Sequence, residues 1–551
     1  MGTRRRHRPH SLVRQRLGLL TVNRPRSSPT LPGKPWSRLL PALFLGLLAL
    51  LMTAAFTVGS AGAAGSPCDA GSGATNVTRW TGASGDNNWD TPGNWDNGVP
   101  TPTKIACILK PGTYVVNAGV DSTAMALSLE LGATSGSQKL HVSGKANARQ
   151  GQLTLSNQDP SQGVNANGEI DLAEAASITE GNVTVSAGTL TNRGKVASFA
   201  AGSGPNTIAG NFDNRGALQV DENTNGSGTS NWTSSGTINI AAGKTLALSW
   251  DANSSFAQTA GTITNNGTFD QTNGTFSASG NGTQTGSPLQ FDGAVTIDPS
   301  GTGSGSFESR SAGATLGSDI GAGYTLRVAG REFSHEGKLI VPADHSNRGT
   351  IELGGENTQG TLAITTGSTL TSAGSIVSTF TAANSTNNGP NHLSGRVVNP
   401  GSIIVAEASL DGSADISTSG TVSVGNGSRS SLSVGTLIQS GDIQIADFSQ
   451  LSVSGNDTQT AGVTNLDGTD AQLASSALVV QGGTLSGIGT VSGPVTNGGL
   501  IAPGASGVTG TLSISGTYTQ QAAGDLAIKV TATGNDLLAS LAPRHWMALC
   551  R

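Results

Sequence analysis

Charge and aromatic side chains are scarce in this 551-residue chain: charged residues make up 12% and aromatics 4%, with only 7 His, 4 Met, 3 Tyr and 3 Cys. Each shortage excludes something. Nucleic-acid binders gather basic side chains on one surface. Here nine Arg and one Lys fall within residues 1–38, and the rest of the chain holds 20 basic residues against 35 acidic ones. That mildly acidic body argues against a nucleic-acid partner. A string of β-sandwiches, each of about 100 residues, wants longer strands and aromatics in every unit, and the long aromatic-poor stretches fit that badly. His141, His335, His345 and His392 are scattered. No H-E-x-x-H, G-x-S-x-G, phosphate-binding glycine loop or C-x-x-C occurs. The calcium nonapeptide is missing too, and Asp467 with Asp470 is too little for a metal site. No cofactor or metal is expected.

Glycine, by contrast, stands at 79, with abundant Thr, Ser and Asn. Val, Ile and Leu recur in short alternating runs from about Thr113 onward: TYVVNAG, KLHVSG, QLTLS, EIDLAE, NVTVSAG, TINIAAG, SIIVAE. Period-2 alternation over three to five residues, closed by Gly or Asn, reads as many short strands separated by tight turns. N-x-G and S-x-G signals punctuate them. Gly194, Gly216 and Gly236 are 22 and 20 apart, and Gly374, Gly401, Gly420 and Gly441 are 27, 19 and 21 apart. A period near 20 is one turn of a β-solenoid, with Gly and Asn wanted at the corners for φ > 0. Residues 121–535 then supply about twenty rungs, a rod on the order of 90–100 Å at ~4.8 Å per rung.

The array also contains a longer repeat. LHVSGKANARQGQLTLS (140–156) aligns without a gap with LRVAGREFSHEGKLIVP (326–342) at an offset of 186. GEIDL (168–172) then matches GTIEL (349–353), GTLTNRG (188–194) matches STLTSAG (368–374), and GPNTIAGNFDNRGALQV (204–220) matches GPNHLSGRVVNPGSIIV (389–405). The duplication covers about 140–250 and 326–435. Such copying with loop-length drift suits a stack in which each unit touches only its neighbours. Two tandem globular domains are the alternative.

Residues 1–64 carry a basic segment, the apolar run LLPALFLGLLALLMTAAFTV (39–58) and a small-residue exit. This is the order of a secretory signal, with cleavage after Ala63 or Ala64. An uncleaved anchor is the rival, because the run is long enough to span a bilayer. Export places the protein outside the cell and permits a disulfide. Pairing Cys68 with Cys107 would close a loop of about forty residues and stabilise the fold by roughly 3–4 kcal/mol. Between them Trp80, Trp89 and Trp95 sit among Gly, Asn, Asp and Pro. The segment 65–120 is read as an N-terminal cap, since a stack end otherwise leaves apolar cross-section and unpaired strand edges in water. A glycan-stacking platform is the functional alternative.

The last organised segment, 482–538, combines G-T-L-x-G-x-G-T-V, N-x-G-x-I-x-P-G and L-x-I-x-G-x-Y-x-Q. It resembles the end of the autotransporter-like β-helical passenger repeats of large bacterial surface proteins. The Trp80–Trp95 stretch is similar to the W-x-G … W … N-W opening of such proteins. The resemblance implies an exported right-handed parallel β-helix, adhesive or structural, and carries no catalytic residues over. One departure stands out. In that family the segment after the tyrosine strand continues into more strands or a membrane barrel, whereas residues 536–551, ending ASLAPRHWMALCR with Cys550, are foreign in composition and read as a frameshifted tail or a short cap.

β-Helices also serve polysaccharide lyases and hydrolases. Their sites need carboxylates paired across adjacent rungs, with cations beside them. Glu169, Asp171 and Glu174 are the best candidates, and Glu352 matches Asp171 in the second copy. Alternating acids on a strand more often form a solvated face. The expectation is therefore an all-β right-handed parallel solenoid, exported and non-catalytic. It would bind extracellular glycans or surface proteins through long polar faces, with no nucleic acid and no membrane once the signal is cleaved. A β-helical carbohydrate-active enzyme and a Trp-platform glycan binder are the alternatives.

Overall fold

Short alternating runs dictate strands with one face inward and one outward, and the corner signals turn the chain after each run. The computed structural model describes residues 66–546, apart from breaks at 70–73, 121, 145–149, 174–178, 200–203, 332–335, 356–357, 380–388, 426–428, 506–507 and 541–543. The expected signal sequence (1–64), Glu174, His335 and Cys550 lie outside the described residues.

The chain winds into about 18 parallel coils, an all-β solenoid. At ~4.8 Å per coil the stack is roughly 85 Å long. Each coil has three faces. The first includes Gly151–Leu155, Thr350–Leu353, Asp442–Ala446 and Leu500–Pro503. The second includes Gly337–Val341, Ser431–Val434 and Thr511–Ile514. Long strands such as Gly181–Asn192 and Thr268–Ser277 round the corner between the two faces, joining them into one 36-stranded sheet. The third face is an 8-stranded sheet ending at Thr283–Gly286 and then a 10-stranded one beginning at His345–Asn347. Every strand pairing among the described residues is parallel, save a hairpin of Val530–Thr531 with Gly534–Asn535.

In-register stacking turns each inward position into a column. Leu326, Ile351, Ile376, Ile403, Val422 and Ile443 succeed one another coil by coil on the first face, all buried. The scarce aromatics also gather inside. Phe256, Phe269, Phe276, Phe291, Phe307 and Tyr324 form a chain of ring contacts with centroids 4.8–6.4 Å apart. Rings at such separations stabilise beyond their buried area.

The N-x-G corners serve a different purpose from the one expected. Gly216 and Gly420 do not adopt positive φ. A Cβ on Gly216 would fall on the carbonyl oxygen of Gly194, and one on Gly420 on that of Gly401, so close approach of stacked corners is what demands glycine. The asparagines turn inward. Asn192 Nδ2 donates to Asn214 Oδ1 (2.9 Å) and to the Ala217 carbonyl (2.9 Å). Asn399 does the same to Thr418 Oγ1 (3.0 Å) and the Thr421 carbonyl (3.2 Å). In the final repeat Asn497 Nδ2 reaches Tyr518 Oη (3.2 Å), Gln520 Oε1 (3.0 Å) and the Asp525 carbonyl (2.9 Å). The N-x-G … Y-x-Q pattern is thus one buried hydrogen-bond cluster.

Cys68 and Cys107 are disulfide-bonded, with Cα atoms 5.7 Å apart. Trp80, Trp89 and Trp95 are 4%, 0% and 4% exposed and pack edge to face, centroids 5.1 and 5.0 Å apart, in the same cluster as Ala106, Ile108 and Val116. The Trp95 indole donates to the Trp89 carbonyl at 2.8 Å. None of these three indoles leaves a face open for a sugar ring. The aligned halves of the long repeat occupy successive faces: Leu140 lies on the third face and Leu326 on the first, as do Gly168–Leu172 and Thr350–Leu353 respectively.

Candidate functional site

Because outward positions also stack, surface chemistry is organised in columns along the axis. On the first face one column runs Gln152, Asn182, Thr207, Asn225, Ala247, Asp270, Gln290, Glu308, Arg327, Glu352. It continues through Val377 and Ile404 to Ser423, Gln444, Asn465, Ser486 and Ala502. All but four of these side chains can hydrogen-bond.

Charge concentrates in the middle of this face. Arg327 Nε bonds Glu352 Oε2 at 3.1 Å. Beside the column, at the corner, Arg310 and Arg331 reach Asp292 Oδ2 at 2.8 and 2.7 Å, and Arg331 lies 3.6 Å from Asp270 Oδ2. Burial pushes the Asp270 carboxyl up, the adjoining Asp292 carboxylate adds to this, and the two arginines only partly oppose it, leaving it at about 6. Asp270 Oδ1 and Arg310 Nε are buried without hydrogen-bond partners. This carboxylate pair on adjacent coils, flanked by guanidinium groups, escapes a linear reading. Its members stand 22, 18 and 21 residues apart, a signal visible only as charge recurring at the coil period.

The sequence-predicted acids lie elsewhere. Glu169 and Asp171 are on the third face, with side chains 13% and 4% exposed, so the expected solvated face is not what forms. Register stacks Lys139, Glu169 and Lys195, and beside them His141 and Asp171. Lys139 and Lys195 clamp Glu169 at 2.8 and 2.7 Å, and His141 Nε2 meets Asp171 at 2.9 Å. Burial works against ionisation of Glu169, but the two ammonium groups overcome it and hold the carboxyl at about 2. A carboxylate fixed in this state cannot shuttle protons near neutral pH. Glu352 is on the first face, two coils beyond Glu308.

Grooves indent the surface of the described residues, among them a larger and a smaller one. The larger, about 890 Å³, follows the first face from Thr421 to Pro503 beneath an arm of residues 527–536. The smaller, about 470 Å³, lies around Asn391, Asp411 and Arg429. No cluster of three or more metal-ligating side chains occurs among the described residues. No helix among them is long and apolar enough to cross a membrane.

No protein-family model, curated protein or solved structure matches the chain. Fold and chemistry rest on its own geometry.

Proposed function

We propose that this chain is an exported, non-catalytic solenoid with a surface-structural or adhesive role, engaging glycan or protein partners through its first face. The observation that carries this reading is the outward column from Gln152 to Ser486, in which hydroxyl, amide and charged groups recur coil after coil, interrupted at Ala247, Val377 and Ile404. Affinity from such a surface is distributed over many weak contacts rather than focused on one group. The leader at 1–64 and the passenger-like pattern of 482–538 supply the export and surface-display parts of the proposal. The buried tryptophans fit a stack-end plug.

The test retains the secreted chain on a polysaccharide panel and removes one, two or three whole coils. Retention is expected to fall stepwise, with no single substitution abolishing it. Release of reducing ends or unsaturated products would sink the non-catalytic reading.

A second reading, a β-helical carbohydrate-active enzyme, is favoured by Asp270 and Asp292. Asp270 holds its proton up to about pH 6 while Asp292 is gripped by two arginines, the division of labour a general acid and its partner require. Under that reading Asp270→Asn abolishes product release and leaves retention intact.

A further inference from the structure

We infer that the large groove on the first face is a binding site for a neutral, linear oligosaccharide of roughly four pyranose units. This rests on the adhesive reading above and gives it a site and a ligand class.

The floor is a column of donor–acceptor side chains. Ser423, Gln444, Asn465 and Ser486 stand in register on four successive coils, with Ala502 on the fifth. They are chained in one direction: Ser486 Oγ donates to Asn465 Oδ1 (3.1 Å), and Asn465 Nδ2 to Gln444 Oε1 (3.2 Å). That leaves the Gln444 amide hydrogens and the Ser423 hydroxyl to meet a ligand. Aliphatic groups stand beside the floor, interspersed with Thr421, Asp442, Lys529 and Asp536. Val463 and Ile528, 38% and 39% exposed, are two of the few large apolar side chains that the molecule shows to water. A groove with hydrogen-bonding groups on the floor and hydrocarbon beside them matches a sugar ring, with its hydroxyl rim and C–H faces. A pyranose advances along its chain by a distance close to the strand spacing of ~4.8 Å, so five coils, about 19 Å, present one floor group per unit. A volume of about 890 Å³ suits a ligand of this size.

Charge and topology narrow the class. The groove's one cation, the Lys529 ammonium, is spent on the carbonyls of Ala505 (3.0 Å) and Val508 (3.1 Å). Asp536 is tied to the backbone N–H groups of Gly510 and Lys529, both at 2.9 Å. Asp442, which also lines the groove, receives the Val463 N–H at 3.1 Å. With no cation to spare, an anionic polysaccharide has no counter-charge. A peptide strand is disfavoured for another reason. The floor strands are paired on both sides, as Asp442–Ala446 is by Thr421–Val424 and Val463–Asp467, so no open ladder edge exists for β-augmentation.

The experiment titrates the full secreted chain by calorimetry with four neutral tetrasaccharides (β-1,4-glucan, β-1,3-glucan, α-1,4-glucan and chitin type) and with tetragalacturonate. Thermal melting confirms that every variant is folded. At least one neutral tetrasaccharide is expected to bind at a single site. Affinity should drop about tenfold in Gln444→Ala/Asn465→Ala, the effect of two neutral hydrogen bonds. It should vanish in Ser486→Arg and stay unchanged in Gln472→Ala, which alters an exposed amide on the second face, away from the groove. Equal losses in Gln472→Ala and the groove variants would overturn the site. Tighter binding of tetragalacturonate than of any neutral sugar would overturn the ligand class. Should no oligosaccharide bind while the chain is still retained on polysaccharide or protein-coated beads, the groove assignment falls alone; with no retention either, both readings fall.

Discussion

Buried carboxyls in this molecule titrate in opposite senses. Asp457 lies on the third face, in register with Leu437 and Leu478, and is 3% exposed. Burial drives its carboxyl up to about 7, against a smaller opposing pull from Ser475. An unfolded chain ionises this group near its ordinary 3.8. Between those values the folded chain binds a proton that the unfolded one has released, so stability falls as pH rises through the window and is lowest above it. Asp457→Asn is expected to flatten the dependence between pH 4 and 8 and to add a few kcal/mol at pH 8, on the order given by the shift. Guanidinium midpoints at pH 4, 6 and 8 measure this; parallel slopes in wild type and variant would refute it. Glu169 behaves inversely. Held at about 2, it contributes stability that is present above its ordinary 4.5 and lost as pH falls toward 2, a window that meets the Asp457 one only at its upper end. Neither behaviour was legible in the sequence, because a strand acid reads the same whether its stacked neighbour is leucine or lysine.

At the scale of the element, the strand–corner unit is what the sequence spells most clearly. Alternation marks the strands and N-x-G marks the corners. The corner's energetics come from the neighbouring coil: Asn399 bridges to Thr418 and to the Thr421 carbonyl, contacts 19 and 22 residues ahead. Asn399→Ala removes both bonds to the next coil and leaves their buried acceptors without this donor, at a cost of about 1–3 kcal/mol. In a stack with nearest-neighbour coupling the damage should be local. Hydrogen exchange is therefore expected to quicken in the strands Ser402–Ala406 and Thr421–Val424 while Gln152 and its coil keep their protection. Uniform loss along the rod would argue for a single cooperative unit instead.

Over the whole molecule, in-register stacking makes coils interchangeable as modules. Thr421 stands over Asp442 and Ser402 over Thr421, so excising residues 421–441 sets Ser402 directly over Asp442 and rejoins all three faces. That deletion is expected to leave the far-UV dichroism and secretion of the chain intact. Removing residues 421–431 instead brings a second-face strand onto the first face and should yield insoluble protein; equal solubility of the two would contradict the stacking register. The sequence by itself determined the fold class, the coil period and the corners, since each follows from local alternation and turn chemistry repeated many times. What only the tertiary structure decided was phase. Leu140 and Leu326 share a motif yet lie on different faces, because every face offers the same strand-and-corner environment and loop lengths alone set the angle. Phase in turn brings Asp270 beside Asp292 and aligns Ser423, Gln444, Asn465 and Ser486 along one groove. Residues about twenty apart carry no local signal of meeting, and only the rise of one coil onto the next makes them neighbours.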